Sequence, residues 1–153
     1  MKIEIRRAVP RDRAFVRDLG ERTAMDSVSA TRQADAVAVR ENYERLLDIV
    51  FSQSHVALIA DVEGGPAGFF LMLDQMPDEV TGEAQGFIAY MAVEPGHRDA
   101  GVGTALLERG EDEARTRGLP YMALMVTEDN AAARALYARA GFLTERRLLC
   151  KML

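Results

Sequence analysis

Read for its apolar and polar positions, the chain falls into short strands and helices separated by clear turn signals. Lys2 to Val9 alternates charged with apolar residues and predicts a first strand, ended by Pro10, which suits a helix start. Phe15, Val16, Leu19 and, after a break, Met25 give a weak helical period, and Asp26 to Thr31 is a polar connection. Ala36, Val39, Tyr43, Leu46, Leu47, Val50 and Phe51 recur at steps of three and four and predict a stronger second helix. His55 to Val62 and Ala67 to Leu73 are apolar runs flanking Glu63-Gly64-Gly65-Pro66, the pattern of an antiparallel hairpin. Asp74 to Glu83 is an acidic, turn-rich loop of the kind that often carries function. Gly86 to Val93 predicts a strand closed by Glu94-Pro95-Gly96. Helix signals run from Gly101 to near Gly118, which Pro120 follows. Tyr121 to Val126 reads as a strand, Asn130 to Ala140 as a helix closed by Gly141, and Phe142 to Met152 as a final strand region. The order β-α-α-β-β-β-α-β-α-β predicts one mixed α/β domain over residues 1–153.

Composition narrows the function classes. With 48% hydrophobic and 28% charged residues in 153, the chain can build an ordinary core. No apolar run reaches the roughly 18 residues of a membrane span, and the first residues, Met1 to Arg7, lack the apolar stretch of a signal peptide. The expectation is a cytoplasmic protein with no membrane partner. The net charge of −5 argues against nucleic acid as a partner, because such binding rests mainly on neutralised phosphates. Cys150, the single cysteine, fits a reducing compartment and reads as a small buried hydrophobe. With only His55 and His97 beside it, zinc spacings are absent and no metal is expected.

Two segments carry chemistry. In the first, Tyr90 to Thr104, a strand turns into glycine-rich backbone that opens a helix. Gly101 and Gly103 remove side chains, so an anion can approach the main chain, where first-turn N–H groups and the helix dipole favour negative charge. Arg98 adds a charged donor, and the arrangement suits a pyrophosphate. A Walker loop is excluded because no lysine follows Gly103; a dinucleotide fingerprint is excluded because Leu106 stands where its third glycine or alanine belongs. In the second segment, Asn130 is a good N-cap, Gly141 suits the position after a helix, and Ala133, Leu136, Tyr137 and Ala140 share a face.

Together the segments resemble the GCN5-related N-acetyltransferase (GNAT) family. Arg98-Asp99-Ala100-Gly101-Val102-Gly103 is similar to its Arg/Gln-x-x-Gly-x-Gly/Ala motif, and Asn130 to Phe142 to its Asn-x-x-Ala-x-x-Leu-Tyr-x-x-x-Gly-Phe pattern. The likeness is sharp from about Ile88 to Phe142 and looser over the N-terminal strand, helices and hairpin. It implies a mixed, mostly antiparallel central sheet with helices on both faces. Two strands, here Gly86–Val93 and Tyr121–Val126, would splay apart to admit a pantetheine arm. It implies acetyl-CoA as cosubstrate, direct attack of a primary amine on the thioester, and an amine carried by a small molecule or a protein or peptide.

The site residues follow from the same resemblance. Met91, Ala92 and Val93 would present main-chain groups to the pantetheine, with an N–H near Met91 polarising the thioester carbonyl. Arg98, Asp99, Ala100, Gly101, Val102, Gly103 and Thr104 would hold the pyrophosphate; Asn130 and Ala133 would border the pantetheine arm, and Met91 and Met125 could line the gap. Tyr137 would protonate the departing thiolate. The base is open: the positions that carry it in several relatives correspond to Phe87 and Ala89, which cannot act. Glu83, Tyr90 and Glu94 are near in sequence, and Glu94 equally reads as a solvated carboxylate beside a turn. Asp74, Asp78, Glu79 and Glu83 in the acidic loop give a mild preference for a cationic amine. A catalytically silent acyl-CoA-binding or sensing module is the alternative, and a homodimer is left open.

Overall fold

The computed structural model describes all 153 residues. Five strands form one sheet in the order β1 (Ile3–Arg7), β2 (His55–Val62), β3 (Gly65–Leu73), β4 (Gly86–Val93), β5 (Met122–Leu124). The first four pair antiparallel, and β4 pairs with β5 parallel. Helices α1 (Arg13–Thr23) and α2 (Ala36–Ser52) precede β2, α3 (Val102–Thr116) links β4 to β5, and α4 (Ala131–Arg139) follows β5.

The alternation along the strands sends side chains to two separate cores, one on each face. Val16 and Leu19 of α1 and Tyr43, Leu47 and Val50 of α2 pack against Ile59, Phe69 and Leu71 on one face. Val102, Leu106 and Leu107 of α3 pack against Leu58, Phe70, Met72 and Ile88 on the other, where Leu136 and Tyr137 of α4 also lean. The i, i+4 step from Val102 to Leu106 and on to Gly110 aims one stripe of α3 at the sheet. At Gly110 an added Cβ would stand 2.4 Å from Phe70, so that glycine lets the helix sit close on β3.

Polar ties fix the helices to the sheet edge. Arg6 of β1 grips Asp12 (2.7 Å) and Asp61 (2.6 Å), while Asp12 also accepts from the Val9 N–H (2.7 Å) ahead of α1. Glu113 of α3, buried, receives Arg7 (3.0 Å), Arg109 (3.1 Å) and Arg117 (2.6 Å). Burial alone would raise the Glu113 pKa, but the three guanidiniums hold it at about 2.

Three expectations change. The strand foreseen over Tyr121–Val126 is paired only from Met122 to Leu124. The final strand over Phe142–Met152 does not form: beyond Phe142 the chain has no regular secondary structure and no backbone hydrogen bond. Cys150 lies in that segment and is exposed rather than buried. The apolar residues there are strand-forming, but no edge in the same molecule pairs with them.

Candidate active site

The parallel pairing of β4 with β5 is short. It covers Gly86–Met122, Phe87–Ala123 and Ile88–Leu124 and then stops, while β3 continues to pair with β4 as far as Val93. From Ala89 to Val93, β4 therefore has no strand neighbour on its β5 side, and a gap opens between the two strands. Where the strands part, β4 carries an irregularity: Leu71 pairs with Tyr90 and Met72 with Ile88, so Ala89 is an extra residue. Such a bulge reverses the usual alternation. Ala89 and Tyr90 both face the α1–α2 core, whereas Ile88 and Met91 face α3.

At the far end of the gap lies the glycine loop. Gly101 caps α3 in the left-handed conformation (φ 87°), which lets the chain turn sharply into the helix, and no atom stands within 4 Å of where its Cβ would be. The N–H groups from Asp99 to Thr104 have no partner elsewhere in the chain; the first new bond is from Ala105 to Gly101 O, at 3.0 Å. A run of free amides at a helix N-terminus, above open space, is an anion cradle. Arg98 stands beside it, its Nε donating to Val93 O (3.3 Å) and its Nη2 reaching Asp26 (3.5 Å). Val102 is buried in the core and anchors the loop from below. Gly103 keeps the helix close to α4, because a Cβ there would meet Leu136 Cδ2 at 3.0 Å and Met91 Cε at 3.9 Å. Thr104 and Ala100 are solvent-facing, Met91 and Val93 half-buried, and Ala92 packs into the α1–α2 core.

Asn130 caps α4, its Oδ1 accepting from the Ala133 N–H (3.2 Å). One turn on, the Tyr137 ring meets Phe142 edge to face at 5.8 Å. Burial raises the Tyr137 pKa, and the Tyr90 hydroxyl adds to the rise. The Tyr90 hydroxyl is itself within 3.1 Å of Thr23 Oγ1, and burial also raises its pKa. Both phenols are therefore protonated at neutral pH.

Neither carboxylate considered as a base stands free in the gap. Glu94 is held by Arg22 through two hydrogen bonds (2.6 and 3.1 Å). Glu83 sits on the loop before β4, where hydrogen bonding to its carboxylate, and then its charge, raise the pKa of Tyr121 at the paired end of β4 and β5. In the acidic loop, Asp74 binds Arg117 (3.1 Å), and Asp78 caps its own turn through the Thr81 N–H (2.7 Å) and also binds Arg146. Glu79 and Glu83 remain exposed. Nowhere do three or more His, Cys, Asp or Glu side chains gather as a metal-binding group. The Tyr90–Thr23 pairing had no signal in the sequence, since it depends on the bulge and on how α1 lies across the sheet.

A mixed sheet that splits between two parallel strands, with a run of unpaired helix N-terminal amides at the mouth of the split, defines the class of fold. The chain belongs to the Acetyltransferase (GNAT) family, whose model matches residues 23–142. A mycothiol acetyltransferase of Beutenbergia cavernae is 39% identical over 92 residues, which are 60% of this chain and 29% of that protein. The chain thus spans less than a third of that relative. Among solved structures, ribosomal-protein-alanine N-acetyltransferase from Brucella melitensis biovar Abortus 2308 superposes with a TM-score of 0.72 at 24% identity, covering 100% of both chains. AAC(6')-Iy in complex with the bisubstrate analog CoA-S-monomethyl-acetylneamine gives a TM-score of 0.72 at 18% identity, over 100% of this chain and 99% of that one. At these identities the structural likeness establishes the fold, a mixed and mostly antiparallel sheet with helices on both faces and a splayed strand pair.

Proposed function

We propose that the protein is an N-acetyltransferase that moves an acetyl group from acetyl-CoA to a primary amine of a small molecule or peptide by direct attack. The observation that carries this reading is the row of free amides from Asp99 to Thr104 at the mouth of the β4–β5 gap. The cradle fits a diphosphate: it offers unpaired donors, a helix N-terminus, one arginine and room above Gly101. The unpaired β4 edge from Ala89 to Val93 fits an amide-bearing arm laid along it, and an N–H near Met91 would polarise the thioester carbonyl. The protonated Tyr137 hydroxyl supplies the proton that the departing thiolate takes up. With Glu94 paired to Arg22, the amine enters neutral, its ammonium proton having gone to solvent beforehand, and the proton that the nitrogen sheds as the amide forms returns to the Tyr137 oxygen and restores the phenol.

The engagement of Glu94 by Arg22 favours a second reading, a silent module that binds acyl-CoA without transfer. One experiment separates the two. The protein is incubated with acetyl-CoA and a panel of lysine peptides, N-terminal peptides, polyamines, amino sugars and aminoglycosides, and thiol release is followed with a chromogenic reagent. Release with at least one amine supports the enzyme. CoA binding by calorimetry with no release across the panel supports the silent module.

A further inference from the structure

Two ion pairs cross between the end of α1 and the turn that follows β4. Arg22 of α1 holds Glu94 (2.6 Å), and Arg98, four residues on, reaches back to Asp26 (3.5 Å) in the single turn Ala24–Ser27 that ends α1. The pairs differ in quality. Glu94 receives two hydrogen bonds from one guanidinium, whereas Asp26 receives a single long one, and its side chain and that of Arg98 are 56% and 47% exposed. A pair so exposed is easily exchanged for another partner. Beyond Asp26 the chain is tied to the other side of the split. The Thr127 hydroxyl donates to Ser27 O, and the Ala30 N–H donates to Asp129 (2.8 Å), both in the loop that follows β5. Residues 26–30 thus reach from the β4 side of the split to the β5 side.

Arg98 also stands next to the free amides that open α3, so one guanidinium serves two places. A diphosphate on those amides presents more charge than one exposed carboxylate and draws Arg98 away from Asp26. Asp26 is then left without a partner, while the ties at Ser27 and Ala30 keep its segment across the split. Thr23, three residues earlier, meets the Tyr90 hydroxyl at 3.1 Å, which sets this turn beside the unpaired stretch of β4. The acidic loop before β4 offers less to a cation, because Asp74 is taken by Arg117 and Asp78 by Arg146.

Resting on the acetyl-transfer reading, we propose that Asp26 determines which amine is accepted: the diphosphate takes Arg98 from it, and the freed carboxylate takes a cationic group of the acceptor. That group is not the nucleophile, since an ammonium paired with a carboxylate keeps its proton and cannot attack. The acceptor class is therefore an amine that carries a second positive charge. The coupling is reciprocal by linkage: a cation on Asp26 frees Arg98 for the diphosphate, so cofactor and acceptor each tighten the other.

Calorimetry with CoA tests this without turnover, because CoA carries no acyl group to transfer. Millimolar spermidine should tighten CoA binding to the unaltered protein about two- to fivefold, the range an exposed ion pair can supply. Butylamine, with one charge, should leave it unchanged at the same ionic strength. Asp26→Asn should bind CoA alone about two- to fivefold more tightly than the unaltered protein and lose the response to spermidine. Asp26→Glu, which keeps the charge, should retain that response. Equal or weaker CoA binding by Asp26→Asn overturns the proposal, because Asp26 then does not withhold Arg98 from the diphosphate. So does spermidine acting equally on Asp26→Asn and the unaltered protein, which puts the cation elsewhere, or spermidine without effect on the unaltered protein. CoA failing to bind the unaltered protein is a separate result: it overturns acetyl transfer itself, and this proposal with it.

Discussion

At Tyr137 the ring and the hydroxyl have separable jobs. The ring is packed with Phe142 and leans on the α3 core, while the hydroxyl, raised in pKa by burial, has no partner atom among the hydrogen bonds of the fold. Tyr137→Phe keeps the ring and removes only the proton. Turnover on the best amine should fall on the order of ten- to a thousandfold while acetyl-CoA affinity stays near wild type. Single-turnover kinetics check this, and an unchanged rate would show that water protonates the thiolate. Gly101 gives a second test at the same scale. Its left-handed backbone costs an ordinary residue about 1–2 kcal/mol, but aspartate tolerates it, as Asp99 does nearby at φ 59°. Gly101→Asp should therefore fold and lose CoA binding, because its carboxylate fills and repels the anion site. Gly101→Asn, neutral and of the same shape, should retain most of the affinity by calorimetry. Equal loss in both would assign the effect to the backbone rather than to charge.

Among the elements, α3 does two things at once: its first turn leaves a row of amides unpaired, and its Glu113 ties it to β1 and to the loop before β4. Arg117 is shared between Glu113 and Asp74, so the tie reaches from one edge of the sheet to the end of β3. Removing the carboxylate takes away an acceptor shared by three part-exposed guanidiniums, of which Arg117 keeps Asp74 and Arg109 keeps Ile5 O, and Glu113→Ala should cost about 1–3 kcal/mol in urea unfolding. The pH dependence follows from the sign of the shift. Glu113 has its pKa lowered from 4.5 to about 2, so its stabilisation is complete above about 4.5 and fades as pH falls towards 2. Wild-type stability should drop across that window, and Glu113→Gln should flatten the slope there. An identical acid slope in the variant would place the loss on other carboxylates.

Elements bounded by strong punctuation were legible in the chain. Gly86–Val93 was delimited at both ends because a glycine precedes the apolar run and Pro95 ends it, and α4 because Asn130 and Gly141 bracket it. The last strand was not. Leu148, Cys150 and Met152 have the right alternation, but a strand exists only with an edge to pair with, and no local pattern says where that edge lies. For the same reason Cys150 was misplaced: an apolar neighbourhood in sequence is not a neighbourhood in space. In the candidate site, the glycine turn that opens α3 was readable because helix starts follow local rules. The bulge at Ala89, which sets Tyr90 toward Thr23, depends on register with β3 and was invisible. What the Glu94 carboxylate does was likewise set by Arg22, 72 residues away.

For the molecule as a whole, the cradle and the open β4 edge make separate demands on a ligand. CoA should bind more tightly than dephosphorylated pantetheine, because only CoA reaches the amides from Asp99 to Thr104. Calorimetry with both compounds checks this, and equal affinities would remove the diphosphate from the cradle.

The short β4–β5 pairing also bears on how the protein opens. Three residue pairs hold β5 to the rest of the sheet, and α4 behind it has no fully buried side chain. The region from Met122 to Arg139 is thus a weakly attached unit, able to detach in a local opening that leaves β1 to β4 intact. Deuterium should enter the α4 amides well before those of β2 and β3. A ligand lying in the split touches both sides, so it rivets the unit down: CoA should slow exchange in α4 strongly and leave β2 and β3 nearly unchanged. Exchange of α4 in step with β2, with or without CoA, would mean that the molecule opens only as one piece.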